Sequence, residues 1–407
     1  MKAQAKRVID ECRHLATMTE EPGRITRRFL SPAVREVHDY LRARMKALGM
    51  QVHVDAAGNL RGLWQSQDSS GKRLVMGSHI DTVPDAGAFD GVLGVVIALE
   101  WVEIARELKL PLSIEIIAFS EEEGVRFGTP FIGSRAVAGR FDEDLLEAKD
   151  ADGVTLEAAI RTFGLDPGQI GEAELAEGAV GFVEVHIEQG PVLESEWLSV
   201  AAVTAIVGQT RLTFEFIGHA NHAGTTPMRL RRDALSAAAE WIAKVEAGAC
   251  ATDGLVATVG KIVVEPNAGN VVPGSVKVSL DVRHAIDSTR KEAVGKLIEN
   301  AESIAARREL KLKRTRQLDQ PAVPMDERLT SFLADAIEAV GLPLKRMPSG
   351  AGHDAMVMAA RVPTAMLFLR SPGGLSHHPD EAVLEEDVEA SLEVGRKFLE
   401  RLAAEIR

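Results

Sequence analysis

A short motif of metal-ligand residue types restricts the fold of this chain more than any other feature. Residues 77–83 read GSHIDTV and follow the apolar run 74–76, and the sequence AFDG comes one turn later. His79, Asp81 and Asp90 therefore come just after a predicted strand. Imidazole and carboxylate groups together suit zinc and similar divalent ions. Open α/β sheets place their sites at the carboxyl ends of strands, so the motif predicts a metal site at a sheet edge.

The same residue types recur wherever a predicted buried strand ends. Glu121, Glu122 and Glu123 follow the apolar run 114–119, and His186 lies near the end of the run 183–187. Five such residues suit two adjacent metal ions that share one carboxylate. The candidate metal ligands are His79, Asp90, Glu123, His186 and His377.

Each of these residues also has an ordinary structural interpretation. A lone His186 on an apolar strand is more often a core histidine, and Glu121–Glu123 can be a solvated acidic run. His377 and His378 can be a pair in a surface loop. The complete set is harder to explain in this way, because each member follows a strand and lies beside glycine or a turn residue.

Two carboxylates beside the candidate ligands have separate roles. Asp81, two residues after His79, is placed to accept the second ring N–H of that histidine. Glu122 precedes Glu123, so one carboxylate can bind metal while its neighbour faces a bound water. A metal ion lowers the pKa of such a water toward about 7, and a carboxylate can relay its proton. The pattern indicates a hydrolase without a Ser or Cys nucleophile.

The composition excludes several classes of protein. The 407 residues carry a net charge of −13, which argues against a general nucleic-acid binder. Cys12 and Cys250 are the only cysteines, so neither a disulfide framework nor a cysteine-rich zinc site is expected. Residues 1–18 predict an amphipathic helix without the apolar core of a secretory signal. We expect a cytoplasmic protein with no membrane partner.

The order of elements predicts an α/β fold in which a smaller domain interrupts a larger one. Residues 1–208 and 326–407 alternate strands and helices, as a layered α/β domain does. Within them, residues 141–180 predict a helical surface cap. Residues 209–325 follow a βαββαβ order, which predicts an inserted ferredoxin-like α+β domain. One strand of that domain is predicted over 256–264.

Several further groups are able to hold a substrate. Arg283 ends an alternating strand, and its planar fork suits a carboxylate, although a surface salt bridge is an equally ordinary role. Asn267 and Asn270 lie in a loop bounded by Pro and Gly and can add hydrogen bonds. His222 and His353 each lie near glycine, where a histidine either stabilises an oxyanion or belongs to a structural turn.

Eight segments together carry a family resemblance. In chain order they are GSHIDTVPDAGAFDG, EEEGVRFG, HIEQGPVLE, HANHAGTTPMRLRRDA, NVVP, DVR, GAGHDA and GGLSHHPDE. With this set the chain resembles the hydantoinase/carbamoylase branch of the dinuclear-zinc aminoacylase and carboxypeptidase superfamily. The resemblance spans nearly the whole chain. It implies a di-zinc exopeptidase-like catalytic domain, an inserted lid and dimerisation domain, and a homodimer.

The resemblance also implies a role for each matching residue. It implies two divalent ions, either zinc or one of manganese, cobalt and nickel, with Asp90 as the bridge. The implied metal ligands are His79, Asp90, Glu123, His186 and His377. The implied catalytic and substrate-binding groups are Glu122 as general base, His222, Gln189, Asn270, Arg283 and His353. No ligand position is lost, so we do not expect an inactive relative.

Members of this branch cleave a ureido or amidine-like C–N bond next to a carboxylate. The implied reaction is therefore hydrolysis of N-carbamoyl-L-amino acids or allantoate with release of ammonia, and the expected partner is a small ureido acid. Residues 82–83 and 373–375 resemble allantoate-type members slightly more closely. A dipeptidase or aminoacylase with the same metals is the alternative. A non-catalytic binding protein is a third hypothesis, and the intact Glu122 argues against it.

Overall fold

The chain folds into two compact units. The structure is a computed structural model, and it describes residues 1–66 and 71–406. The first unit comprises Met1–Thr204 and Met325–Arg407, and the second comprises Ala205–Pro324. The sequence pattern placed these boundaries at 208/209 and 325/326, four residues and one residue further along the chain.

The described residues contain eleven α-helices and sixteen β-strands. The helices are α1 (Lys2–Ala16), α2 (Pro32–Ala47), α3 (Val92–Glu107), α4 (Ile132–Val137), α5 (Leu156–Thr162), α6 (Val192–Ser195), α7 (Ala234–Cys250), α8 (Asp287–Arg307), α9 (Glu327–Ala339), α10 (Asp354–Met358) and α11 (Glu385–Ile406). The strands are β1 (Gln51–Val54), β2 (Leu60–Trp64), β3 (Arg73–His79), β4 (Ser113–Phe119), β5 (Ala179–Ile187), β6 (Val200–Ile206), β7 (Gly208–Ile217), β8 (Asn221–His222), β9 (Val256–Thr258), β10 (Ile262–Glu265), β11 (Val271–Val272), β12 (Ser275–His284), β13 (Lys311–Gln320), β14 (Val323–Pro324), β15 (Arg346–Ser349) and β16 (Thr364–Leu369). None of the described helices is long and apolar enough to cross a membrane.

A mixed sheet forms the centre of the first unit. Its strand order is β1-β2-β4-β3-β5-β16-β6, with β15 paired beside β6. Strand β3 pairs in parallel with β4 and β5, and β16 pairs in parallel with β5. The carboxyl ends of these four strands therefore meet at one edge of the sheet. This layered arrangement confirms the predicted α/β class.

Burial on all sides explains helix α3, which begins directly after the metal-ligand motif. Its sequence VLGVVIALEWVEIARE is largely apolar, and thirteen of its sixteen residues are buried. A helix that is apolar all round needs cover on every side. Helix α3 packs on β3 and β5, and α1 and α11 cover it. This packing fixes where the loop that carries Asp90 ends.

The segment 141–180 lies largely at the surface, as predicted, but a few buried residues anchor it to the core. It contains α5 and two short 3-10 helices, at Glu143–Glu147 and Pro167–Ala173. Leu156 and Ile160 are fully buried and belong to the core of the first unit. The Ala- and Glu-rich composition concealed these apolar anchors, because they are few and lie in short helices.

The second unit is built on an antiparallel sheet. Its order is β10-β12-β7-β13, with β9 beside β12. Apolar residues alternate along β7 and β12, so one face of each strand enters a core shared with α7 and α8. Trp241 of α7 packs there against Phe214 and Phe216. This arrangement confirms the predicted ferredoxin-like βαββαβ order.

One predicted strand of this unit is two strands. Residues 256–264 contain β9 and the start of β10, with a break at 259–261. At the break, the N–H of Lys261 donates to the hydroxyl of Ser279, and the N–H of Ser279 donates to the carbonyl of Lys261. A side chain thus replaces one hydrogen bond of the ladder. Gly260 also lowers the local strand propensity.

Candidate metal centre

Parallel strands bring the predicted ligands to one edge of the sheet in the first unit. His79 is the last residue of β3, and His186 is the last but one of β5. Glu123 follows β4, Asp90 lies in the loop between β3 and α3, and His377 lies in the loop after β16. Since β4, β3, β5 and β16 are neighbours in this order, the loops after them meet.

Two histidines and one oxygen of Asp90 form the first ligand set. The Nε2 atom of His79 lies 3.4 Å from Asp90 Oδ1, and that of His186 lies 3.1 Å away. The Nδ1 atom of His79 lies 3.0 Å from the carbonyl oxygen of Asp81. The Nδ1 atom of His186 lies 2.9 Å from the carbonyl oxygen of Ile187. A carbonyl oxygen only accepts, so each Nδ1 carries the proton and each Nε2 presents a lone pair.

The second oxygen of Asp90 faces a different ligand set. His377 Nε2 lies 3.2 Å from Asp90 Oδ2 and 3.3 Å from Glu123 Oε1. Hydrogen bonds to Asp90 and Glu123 raise the pKa of His377 to about 10. The carboxylate of Asp90 therefore lies between two ligand sets with one oxygen toward each, which is the arrangement that a bridging ligand requires.

These groups fit divalent metal ions. Asp90 Oδ1 and His186 Nε2 are buried and have no hydrogen-bond partner within the described part of the chain. Buried polar atoms are costly unless they are hydrogen-bonded or bound to an ion. The ligand atoms of His79, Asp90 and His186 lie within 4.8 Å of one another, and so do those of Asp90, Glu123 and His377. Imidazole and carboxylate donors suit zinc, manganese, cobalt and nickel.

Glu122 lies beside one member of each set, since its ligand atom and those of His79 and Glu123 are within 4.8 Å of one another. Burial raises the pKa of Glu122 well above its ordinary value, and the charges of Glu123 and Asp354 add to this against the opposing effect of His79. A carboxyl group with a raised pKa next to a metal-ligand set is suited to accept and return a proton.

Asp81 accepts the ring proton of His79, as its spacing predicted, but through its main-chain oxygen and not through its carboxylate. Its carboxylate lies 3.6 Å from His79 Nδ1, which is too far for a hydrogen bond. Its main-chain oxygen accepts that ring proton instead. The two carboxylate oxygens accept the N–H groups of Glu122 and Glu123, each at 3.0 Å. The structure thus corrects the atom involved, because spacing places a residue near a ring without determining which oxygen faces it.

Gly91 allows the loop of Asp90 to approach His79 closely. Its φ is +67°, in the left-handed region. A Cβ at this position would lie 2.5 Å from atoms of the His79 ring. Glycine meets both requirements. Asp90 and His79 can therefore come together only because glycine follows Asp90 in the motif.

Gln189 and His353, two predicted pocket residues, have different surroundings. Gln189 Nε2 donates to Asp90 Oδ2 at 3.0 Å, and its Oε1 is buried with no hydrogen-bond partner among the described residues. His353 is 1% exposed, lies 2.9 Å from Ser349 Oγ through Nε2, and packs its ring 4.4 Å from that of His186. Burial lowers the pKa of His353 well below its ordinary value, so this ring is neutral. Gln189 therefore offers an acceptor to a ligand, whereas His353 supports a metal-ligand ring.

His222 and Asn270 lie next to each other in the second unit. Strand β8, which carries His222, pairs with β11, and the N–H of Ala223 donates to the carbonyl of Asn270 at 2.9 Å. His222 Nδ1 accepts the N–H of Gly224 at 3.1 Å, so the proton of the neutral ring is on Nε2. An exposed Nε2–H is a donor of the kind that stabilises an oxyanion.

Arg283 lies near the opposite end of strand β12 from the segment that carries these two residues. Its guanidinium binds both carboxylate oxygens of Asp281 at 3.0 Å, and its side chain is 31% exposed. Beyond Ser275 the N–H of Gly218 donates to the carbonyl of Gly274, and the two segments then form the separate two-stranded β8–β11 sheet. Arg283 follows Ser275 by eight positions, which is about 26 Å of strand. One small molecule therefore does not reach Arg283 and His222 of the same chain.

Two residues that hold Asp90 were missed at the level of sequence. Ser376 Oγ donates to Asp90 Oδ2 at 3.0 Å, although 286 positions separate the two residues. Glu381 Oε1 accepts the N–H groups of Phe89 and Asp90, both at 2.9 Å. Both belong to the SHHPDE segment that contains His377. Their closeness in sequence to a candidate metal ligand was the one signal that could have indicated them. Their partner in the fold was not visible in the motif.

Comparison with known proteins identifies the family of this chain. Residues 75–404 match the peptidase family M20/M25/M40. The chain belongs to this family. The N-carbamoyl-L-amino acid amidohydrolase of Geobacillus stearothermophilus is 37% identical to this chain over 96% of this chain and 97% of its own length.

Two further relatives identify the branch of the M20/M25/M40 family. A probable allantoate deiminase of Oryza sativa subsp. japonica is 37% identical over 93% of this chain and 84% of its own length. The crystal structure of a hydantoinase/carbamoylase family amidase from Burkholderia multivorans superposes with a TM-score of 0.91 at 31% identity, over 98% of this chain and 97% of that one. The resemblance that the motifs indicated is confirmed.

Proposed function

We propose that this chain is a metal-dependent amidohydrolase that cleaves the ureido C–N bond of N-carbamoyl-L-amino acids or allantoate and releases ammonia. Carbamoyl substrates would release CO2 as well. The observation that carries the proposal is the position of Asp90, whose two oxygens face two ligand sets beside the buried Glu122. The relatives named as an amidohydrolase of N-carbamoyl-L-amino acids and as an allantoate deiminase support this choice of substrate.

The proton chemistry of the reaction falls to Glu122. Bound divalent ions polarise a carbonyl group and lower the pKa of a coordinated water toward about 7. Glu122 takes the proton of the attacking water and returns it to the leaving nitrogen. The groups that would hold the two ions, zinc or else manganese, cobalt or nickel, are His79, Asp90, Glu123, His186 and His377.

Three polar groups suit the parts of a ureido acid. Arg283 presents a planar fork for the substrate carboxylate. Asp281, one of its partners, also accepts a hydrogen bond from Arg211 at 3.0 Å, so Asp281 keeps a cation when Arg283 binds a substrate. The unpaired Oε1 of Gln189 suits a ureido N–H. The Nε2–H of His222 suits the carbonyl oxygen that gains charge during attack.

The length of strand β12 supports a site that two chains share. In one chain, about 26 Å of strand separates Arg283 from the segment that carries His222 and Asn270. In a homodimer, His222 and Asn270 of a second copy could complete the site. The substrate would then contact Arg283 through its carboxylate and His222 through its carbonyl oxygen. The edge strands β9 and β10 expose Val256 and Ile262, which offers an apolar surface for pairing. We therefore infer that residues 205–324 act as lid and dimerisation domain.

A substrate panel tests this function. Ammonia release is measured from allantoate and from several N-carbamoyl-L-amino acids, with Mn²⁺ or Zn²⁺ added. Amino acid release from dipeptides and N-acyl amino acids is measured in parallel, and Glu122→Gln serves as the background control. Turnover of a ureido acid supports the proposal. Turnover of dipeptides or N-acyl amino acids, with every ureido acid left intact, would instead identify a dipeptidase or aminoacylase.

A further inference from the structure

Glu381 connects the loop of the first ligand motif to the loop of the last one. Its Oε1 atom accepts the main-chain N–H of Phe89 and that of Asp90, both at 2.9 Å. Its Oε2 atom lies 3.3 Å from the hydroxyl of Ser376. The side chain is 6% exposed. The Oε1 atom thus holds two main-chain N–H groups while Oε2 lies against Ser376, and Glu381 belongs to neither ligand set of the described residues.

The two loops are shaped to fit around this carboxylate. The N–H of Glu381 donates to the carbonyl of His378 at 3.0 Å, which closes a turn directly after the candidate ligand His377. On the other side, a Cβ added to Gly87 would lie 2.3 Å from Glu381 Cβ. The loop that leads to Asp90 therefore has no room for a side chain where it passes Glu381.

We propose that Glu381 is a positioning residue that fixes the orientation of the Asp90 carboxylate and so determines how tightly the centre binds metal. Asp90 serves two ligand sets only while each oxygen keeps its direction. The carboxylate of Glu381 accepts the main-chain N–H of Asp90 and so holds that part of the loop. It also contacts Ser376, whose hydroxyl donates to Asp90 Oδ2 at 3.0 Å. This inference rests on the metal site proposed above.

The expected size of the effect follows from similar supporting groups. Loss of a residue that orients a metal ligand lowers metal affinity by about 10-fold to 100-fold. Glu381→Ala leaves two buried N–H groups without an acceptor, so the loop before α3 should rearrange. Glu381→Gln keeps an oxygen for both N–H groups, and its amide can donate to Ser376. The glutamine variant removes the charge and retains the hydrogen bonds, so it separates positioning from electrostatics.

The experiment measures zinc affinity of the purified full chain by competition with a chromophoric chelator, together with the zinc content after dialysis and the melting temperature. Glu381→Ala should bind zinc about 10-fold to 100-fold more weakly, and Glu381→Gln should recover most of the affinity. Asp233→Ala is the matched control. Asp233 Oδ1 also accepts two main-chain N–H groups, at 2.9 and 3.0 Å, but it lies in the second unit. The control should lower the melting temperature and leave zinc affinity unchanged.

Gly87→Ala provides an independent variant if Glu381→Ala fails to fold. The new methyl group should displace Glu381 without altering any carboxylate, so zinc affinity should fall here as well. Unchanged zinc affinity in a folded Glu381→Ala overturns the inference. If Glu381→Ala does not fold, unchanged zinc affinity in Gly87→Ala overturns it. Equal loss in Glu381→Gln and Glu381→Ala also overturns it, because charge would then be responsible. A wild-type chain that binds no zinc, manganese, cobalt or nickel would instead refute the proposed metal site itself.

Discussion

The separation of His222 from Arg283 within one chain predicts that two inactive variants restore activity when they form a mixed dimer. One chain carries Glu122→Gln and the other carries His222→Ala. In the mixed dimer, one site combines both damaged groups. The other site combines an intact Glu122 with an intact His222, provided that each lid serves the neighbouring chain. The mixed dimer should therefore have about half of the wild-type activity.

The expected gain is large because each parent variant should be nearly inactive. Loss of a general base lowers the rate by about 10²-fold to 10⁴-fold. Loss of one oxyanion donor lowers the turnover number by about 10²-fold to 10³-fold. Each parent homodimer should thus retain about 1% of wild-type activity or less, so the mixed dimer should exceed either parent by about fiftyfold or more.

The assay uses co-expression of the two chains with different affinity tags and purification on both tags in sequence. Native mass spectrometry confirms one chain of each kind, and ammonia release from the preferred ureido acid measures activity. A dimer of Glu122→Gln with Asp90→Ala is the control. Both of these residues lie in the first unit, so each site keeps one damaged group and no activity should return.

A mixed dimer no more active than its parents would refute the reasoning from strand length. His222 would then act in the site of its own chain or would have no part in catalysis. A demonstrably monomeric wild-type chain with full activity would lead to the same conclusion by a separate route.

Three further predictions concern the metal bridge, the substrate carboxylate and the packing of the core. Asp90→Ala should lose both metal ions, since each oxygen faces a different ligand set, and elemental analysis that finds one or two ions per chain would contradict the bridge. Arg283→Ala should lower the preference in kcat/KM for an acid substrate over its neutral amide by about one to two decades, with Arg283→Lys a poor rescue; an unchanged ratio would place the carboxylate elsewhere. Gly395→Ala should lower the free energy of unfolding by about 1–3 kcal/mol, because its Cβ would lie 2.0 Å from the buried Trp101 ring. Gly295→Ala, in α8 with open space around it, should instead raise that free energy by about 0.4–1 kcal/mol, and urea unfolding that shows equal effects would contradict the packing argument.

Local patterns were sufficient to predict most of the architecture. The apolar runs at 74–76, 114–119 and 183–187 all lie within observed strands, because a strand buried on both faces has a continuous apolar sequence. The alternating strand that was predicted to end at Arg283 is β12, which has one buried face. The single strand predicted over 256–264 was wrong, since the Ser279 hydroxyl that interrupts it lies on another strand.

The sequence by itself determined which residue types end the strands, and therefore that His79, Asp90 and His186 would meet at one sheet edge. That inference needs only the periodicity of strands and the rule that parallel strands share an edge. Tertiary structure alone decided which atoms face each other. It placed the main-chain oxygen of Asp81 against His79, and it brought Glu381 to the backbone of Asp90 across 291 positions of sequence. The physical reason is that periodicity is a property of neighbouring residues, whereas hydrogen bonds between distant loops depend on how the whole core packs.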